Sequence, residues 1–154
     1  MVDAFHVEIL GLKELQDKTE QMVRDLRGDE FLQGMRDVTL MLQRDAKINV
    51  PVDTGRLRAS ITPTVEMNGD TVEGIVGTNI TYAPYVEFGT APHRPPIAAL
   101  EVWARRHGMS AYVLANIIAQ RGTKASHFFQ RAFDDNESKI KDLLGDVVGK
   151  IVSK

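Results

Sequence analysis

RLRASITPTVEMNGDTVEGIVG, residues 56–77, carries the strand pattern from which the fold class is read. Leu57, Ala59, Ile61, Val65 and Met67 alternate with polar side chains, and a period of two places every second residue of a strand on one face. Pro63 interrupts the run and has no N–H to donate to a neighbour, which predicts an edge position or a bend. Asn68 and Gly69 both tolerate positive φ and predict a two-residue type I′ turn, after which TVEGIVG returns as the antiparallel partner. The expected unit is a hairpin over about residues 56–78.

Upstream, VPVDTG at 50–55 reads as the corner that feeds the hairpin: Pro51 sets the entry, Asp53 and Thr54 can bond neighbouring amides, Gly55 takes a positive φ, and Arg56 follows. Before it lies an apolar stripe of Phe31, Leu32, Met35, Val38, Leu42 and Ala46. This predicts a helix capped by Asp29 and ended near Asn49, because Pro51 pushes Val50 out of helical space. A further stripe, Leu12, Leu15, Met22, Val23 and Leu26, predicts another helix up to Gly28. Phe5, Val7 and Ile9 alternate as a short strand ended by Gly11.

Downstream, TNITYAPYVEFGTAPHRPP predicts one helical turn around Tyr82 to Phe88 and then a stiff extended loop, since four of the six prolines fall between 84 and 96. Two shorter helices follow, Ile97 to His107, started by Pro96 and closed by Gly108, and a Ser110-capped helix closed by Gly122. The last segment carries Ile140, Leu143, Leu144, Val147, Val148, Ile151 and Val152 at helical spacing, with Asp134 or Asp135 as cap. Gly145 and Gly149 cost it about 1 kcal/mol each, so this helix needs something to dock against. The order strand, helices, hairpin, loop, helices predicts one α+β domain over 1–154. An antiparallel sheet packs against long N- and C-terminal helices, with a two-helix insertion at about 97–121.

Composition narrows the chemistry. The chain has 154 residues, 43% apolar, and no cysteine, which excludes disulfides, thiolate metal sites and cysteine nucleophiles. The opening residues lack a signal-peptide pattern and no apolar run reaches membrane-span length, so the expectation is a chain made in the cytoplasm, not exported and not placed in a membrane. The net charge of −2 is unevenly distributed: residues 1–50 and 51–90 each carry −3, residues 91–131 carry +5, and the remainder −1. An acidic body with a basic segment suits contact between subunits at least as well as contact with nucleic acid.

Asp53-Thr54-Gly55 matches the triplet of aspartic proteases, in which two carboxylates share a proton. Those enzymes need a small residue after the triplet and a second copy of it; here Arg56 follows and no second copy exists. His6, His93, His107 and His127 sit in four separate segments without metal-ligand spacing, and no phosphate-loop, dinucleotide or nucleophile-elbow motif occurs. No catalytic, cofactor or metal residue is therefore assigned. Arg94, Arg105, Arg106, Arg121, Lys124 and Arg131, interleaved with Trp103, Phe128 and Phe129, could track a nucleic-acid backbone. They also fit subunit-interface anchors, where aromatics and arginine are enriched.

Four pieces, taken in order, resemble the tail-completion, or head-to-tail joining, proteins of long-tailed bacteriophages, often labelled minor tail or neck proteins. They are the opening strand into Gly11-Leu12-x-Glu14-Leu15, PVDTGRLRASI at 51–61, YAPYVEFGT at 82–90 and RGTKASHFFQRAF at 121–133. The resemblance implies a structural virion protein of the neck, without catalysis or cofactor, assembled as a ring of six subunits around the DNA channel. Its implied partners are further copies of itself, head-closure or connector proteins, and the tail terminator or tail tube protein; non-specific contact with DNA in the channel stays open. A heterologous ring needs two different complementary patches on each subunit. The candidate interface residues are Tyr82, Tyr85, Glu87, Phe88, Gly89 and Thr90, the basic Arg94, Arg105, Arg106, Arg121 and Lys124, and the Phe128–Phe129 pair. The alternatives are a phage DNA-binding adaptor or a D-T-G protease.

Overall fold

The computed structural model describes residues 5–7, 28–69 and 71–153. The helix expected over Leu12 to Leu26 and the end of the first strand at Ile9 lie outside the described residues. In chain order the elements are β1 (Phe5–Val7), α1 (Asp29–Asn49), α2 (Arg56–Ser60), β2 (Thr62–Asn68), β3 (Thr71–Gly77), α3 (Ala83–Phe88), α4 (Ile97–Arg106), α5 (Ala111–Arg121), α6 (Phe128–Asp134) and α7 (Glu137–Val152). The fold is α+β.

The sheet is antiparallel throughout, in the order β1-β3-β2. Pro63 therefore lies on an edge strand, where its missing N–H leaves least undone. On β3 the buried residues are Val72, Gly74 and Val76, one face of a period-two strand, and α1 covers that face. The contact is closest at Gly74, where a Cβ would come within 2.8 Å of both Met35 Cε and Thr39 Cγ2. On the other side of α1, Gly34 admits α7, since a Cβ there would stand 2.9 Å from Val147 Cγ2. Two missing side chains thus let α1 be sandwiched between the sheet and α7.

The core divides along α1. Phe31 and Met35 pack with Val72 and Ile151 near its start; Val38, Leu42 and Ala46 pack with Leu57, Ile61, Val76, Phe128, Ala132 and Ile140 further on. Burial of this kind contributes roughly 25 cal/mol per Å² of apolar surface and is the main force holding the layers. The dependence of α7 on docking is met by α1, although Leu143 and Val152 of its expected stripe face solvent.

Four local expectations are corrected. Arg56–Ser60 is a helical turn, not the start of the hairpin strand. Leu57 and Ile61 are both buried, and a spacing of four satisfies a helix as well as a strand; Ala59, which only the strand reading needs inside, is exposed. Gly55, at φ 80, turns the chain into this helix, and Ser60 Oγ donates to the Leu57 carbonyl at 2.8 Å. Second, Asn68 pairs with Thr71, so the hairpin turn begins at Gly69, with φ 59, rather than at Asn68. Asn68 stays on the strand and donates to Glu73 Oε2, and the register sets Val65 opposite Gly74.

Third, the last helix starts after Asn136, and a separate helix, α6, precedes it. Neither Asp134 nor Asp135 is the cap. Asn136 is only 1% exposed, and its Nδ2 donates to Asp45 Oδ2 at 2.7 Å and to the Ala132 carbonyl at 2.8 Å. It ties the α6–α7 junction to α1. Fourth, at the other end of α1 the cap position is Gly28, and Asp29 acts instead as a first-turn acid favourable to the helix dipole.

Candidate functional site

YAPYVEFGT and RGTKASHFFQRAF, some 30 residues apart in sequence, form one structural unit. Ser126 N and Ser126 Oγ both donate to the Val86 carbonyl, at 2.9 and 2.8 Å, and His127 N donates to the Glu87 carbonyl at 3.0 Å. Glu87 reaches into the chain at 3% exposure and accepts from Phe129 N and Gln130 N, both at 3.0 Å. Those N–H groups belong to the first turn of α6, where a carboxylate satisfies orphan donors and meets the positive end of the helix dipole.

Beyond Glu87, Thr90 and Thr123 exchange backbone hydrogen bonds as an isolated antiparallel bridge, with their hydroxyls 3.1 Å apart. Gly122 makes this approach possible. At φ 70 and ψ −158 it occupies a region closed to other residues, and a Cβ would collide with the Thr90 carbonyl. The result is a clasp that fixes α3 against α6.

The clasp rearranges the predicted interface residues. Glu87, Phe128 and Phe129 are buried within the subunit and do not reach its surface; Gly89 and Thr90 are backbone parts of the clasp. Tyr82, Tyr85 and Phe88 face outward, the last two 61% and 65% exposed. Arg94, Arg105, Arg121 and Lys124 are exposed, and none has an ion-pair partner among the described residues. Arg131 donates to Asn49 Oδ1 at 3.2 Å.

Arg106 has a specific job. Its Nη1 lies 2.8 Å from Asp53 Oδ2, so the helical insertion is pinned to the PVDTGR corner across 53 residues of sequence. Thr54 Oγ1 accepts from Arg56 N at 3.4 Å, the local turn bond expected at this corner. Between the two segments lies a groove of about 370 Å³, with Arg56, Arg58 and Tyr82 on one side and Trp103 and His107 on the other. Trp103 stacks on His107 with ring centroids 3.8 Å apart. A broader apolar groove of about 730 Å³ runs beside Tyr85, Pro92, Leu100 and Ile118. The insertion itself shows Val102, Tyr112, Val113 and Ile117 to solvent.

Sequence reasoning missed the Trp103–His107 wall, the Arg106–Asp53 tie and the Asn136–Asp45 link. The stacked pair sits at i and i+4 on one helix and was readable in principle; the other two join residues 53 and 91 positions apart and leave no local signal.

A family model described as "Bacteriophage HK97-gp10, putative tail-component" matches residues 12–89, half of the chain. The chain belongs to this family. It is accordingly a bacteriophage tail component, a structural protein of the virion. No curated protein and no solved structure matches it. The match takes in the PVDTGR corner, the hairpin and α3 up to Gly89; the α4–α5 pair and the second half of the clasp fall beyond it. No helix among the described residues is long and apolar enough to cross a membrane.

Proposed function

We propose that this HK97-gp10-like chain is a non-catalytic subunit of the phage neck, one domain per subunit, assembled as a hexameric ring that joins or completes the tail at the head–tail interface. The carrying observation is that α3, α4 and α5 leave the large apolar side chains Tyr85, Phe88, Val102, Tyr112, Val113 and Ile117 exposed, with the exposed cations Arg94, Arg105, Arg121 and Lys124 on or next to the same elements, on a chain of the tail-component family. A surface rich in large apolar and aromatic groups with arginines at its edge is what a protein–protein interface requires. Head-closure proteins on one side and tail terminator or tube on the other are its expected neighbours.

Deletion of the gene in the parent phage tests the reading. Full heads accumulating beside separate, finished tails support it; tails of abnormal length or unpackaged heads refute it. Arg105→Glu is the sharper point variant, because Arg106 also anchors the corner, and it is expected to lower incorporation into particles. Particles of normal neck occupancy and infectivity would count against α4 as part of the interface.

The four exposed cations Arg94, Arg105, Arg121 and Lys124 favour one second reading, a DNA-binding adaptor. It requires monomeric duplex binding that weakens steeply with salt. The protease reading has less support, since the Asp53 carboxylate is held by Arg106; Asp53→Asn is expected to change stability by at most about 1 kcal/mol, the range of an exposed ion pair.

A further inference from the structure

The proposed ring requires two complementary patches on one subunit, and the corner before the hairpin and the hairpin's tip supply them; a contact between these two rests on the ring reading. At the root of the hairpin is the groove at the PVDTGR corner. Arg56 and Arg58 line it, and Asp53, its one acidic lining residue, is already neutralised by Arg106, so the groove carries an excess of guanidinium over carboxylate. Its far wall is the Trp103–His107 stack, an apolar surface on which a side chain can seat.

Towards the tip the sequence of the hairpin is acidic. Residues 62–77 contain Glu66, Asp70 and Glu73 and no lysine or arginine. Glu66 and Glu73 stand directly opposite each other across the strands, which places both carboxylates on one face, and Met67, next in β2 and so on the other face, is exposed. Strand β2 runs from root to tip, and its seven residues span roughly 20 Å at about 3.3 Å per residue.

We infer that the hairpin tip of one subunit docks in the corner groove of the next, its glutamates against Arg56 and Arg58 and Met67 against Trp103. A positive socket before β2 and an acidic plug at its far end make a head-to-tail contact, the kind that closes into a ring when the rotation permits. Such a contact is steered by charge and weakened by salt.

Charge reversal provides the test. One chain carries Glu66→Lys and Glu73→Lys, a second carries Arg56→Glu and Arg58→Glu, and a third carries all four changes. Each is supplied in trans to the gene-deleted phage, with plaque titre and chemical cross-linking of purified particles as readouts. In parallel, emission of the single tryptophan, Trp103, is followed in the purified proteins as their concentration is raised. Like charges set against each other across an interface weaken association by about a hundredfold or more, so each two-residue reversal is expected to lose titre by at least that factor. The four-residue chain is expected to regain it, with a blue shift of Trp103 emission on assembly.

Rescue within a single chain is not an explanation, because the root and Glu66 are separated by roughly 15 Å along the strand, beyond a Debye length of about 8 Å. Should a reversed chain fail to fold by circular dichroism, Glu66→Gln and Arg58→Gln replace it and are expected to lose titre in the same sense. Wild-type titre and cross-linking for a folded two-residue reversal would overturn the inference. So would loss of titre that the four-residue chain does not restore, which would assign the groove to DNA or to another virion protein. The ring reading fails separately, if cross-linking of wild-type particles yields no oligomer of this chain.

Discussion

Replacing Glu87 with alanine removes the acceptor of two backbone N–H groups, from Phe129 and Gln130, at a site only 3% exposed. Hydrogen bonds to a charged group contribute about 1.5–3 kcal/mol each, and part of that is recovered when water enters the truncated site. A loss of about 3 kcal/mol is expected. For a domain of this size it corresponds to a fall in Tm of roughly 6–12 °C. Glu87→Gln keeps one acceptor oxygen but turns an amide NH₂ toward the other N–H, so about half the loss is expected. Chemical denaturation followed by circular dichroism measures both, with Glu101→Ala, an exposed acid on α4, as a control expected to stay within about 0.5 kcal/mol. A Glu87→Ala midpoint within that same margin, with an unchanged denaturant slope, would show that the clasp is not held by this carboxylate.

Gly122→Ala forces a Cβ into the Thr90 carbonyl at a backbone conformation closed to alanine, and is expected to cost at least about 2 kcal/mol, seen as a lowered Tm and faster proteolysis between α5 and α6. Gly145→Ala and Gly149→Ala place a methyl group in open space on a helix, and each is expected to raise stability by about 0.5–1 kcal/mol; a fall in midpoint for either would mean that this face is already occupied. Asp45 has its pKa lowered, chiefly by the hydrogen bond from Arg44 and further by Asn136, against the opposing effect of partial burial. A depressed carboxylate stabilises the fold above its unfolded pKa of about 3.9 and loses that contribution as pH falls through the folded value. Asp45→Asn should therefore be less stable than wild type at pH 7 and converge on it in acid; a stability difference independent of pH from 7 to about 2 would refute the assignment.

Elements whose signals are local were legible in the bare chain. The stripe of α1 stood out because six apolar residues from Phe31 to Ala46 recur at helical spacing, and Pro51 marks its end. The β2–β3 hairpin was legible because alternation and a glycine turn agree; Pro63 pointed to an edge position or a bend, and the sheet order makes it the edge. Ser110 and Gly122 bounded α5 as read, with Ser110 Oγ accepting from Tyr112 N at 3.3 Å. Membership of a phage tail family was readable in two motifs, PVDTGR and YAPYVEFGT.

What those motifs do became visible only once the segments were packed together. Leu57 and Ile61, four apart, satisfied either period, and the choice of helix rested on which side of Ala59 the core would lie. Glu87 looked like a surface acid, and became an internal cap because α6 brings two unsatisfied N–H groups to it, from residues 42 and 43 positions on. Arg106 looked like one of six equivalent basic residues, until folding set it beside Asp53. In each case the deciding interaction is a packing contact, charge or hydrogen bond between segments far apart in sequence. Periodicity reports burial along one element, but it carries no information about which donor a second element will deliver.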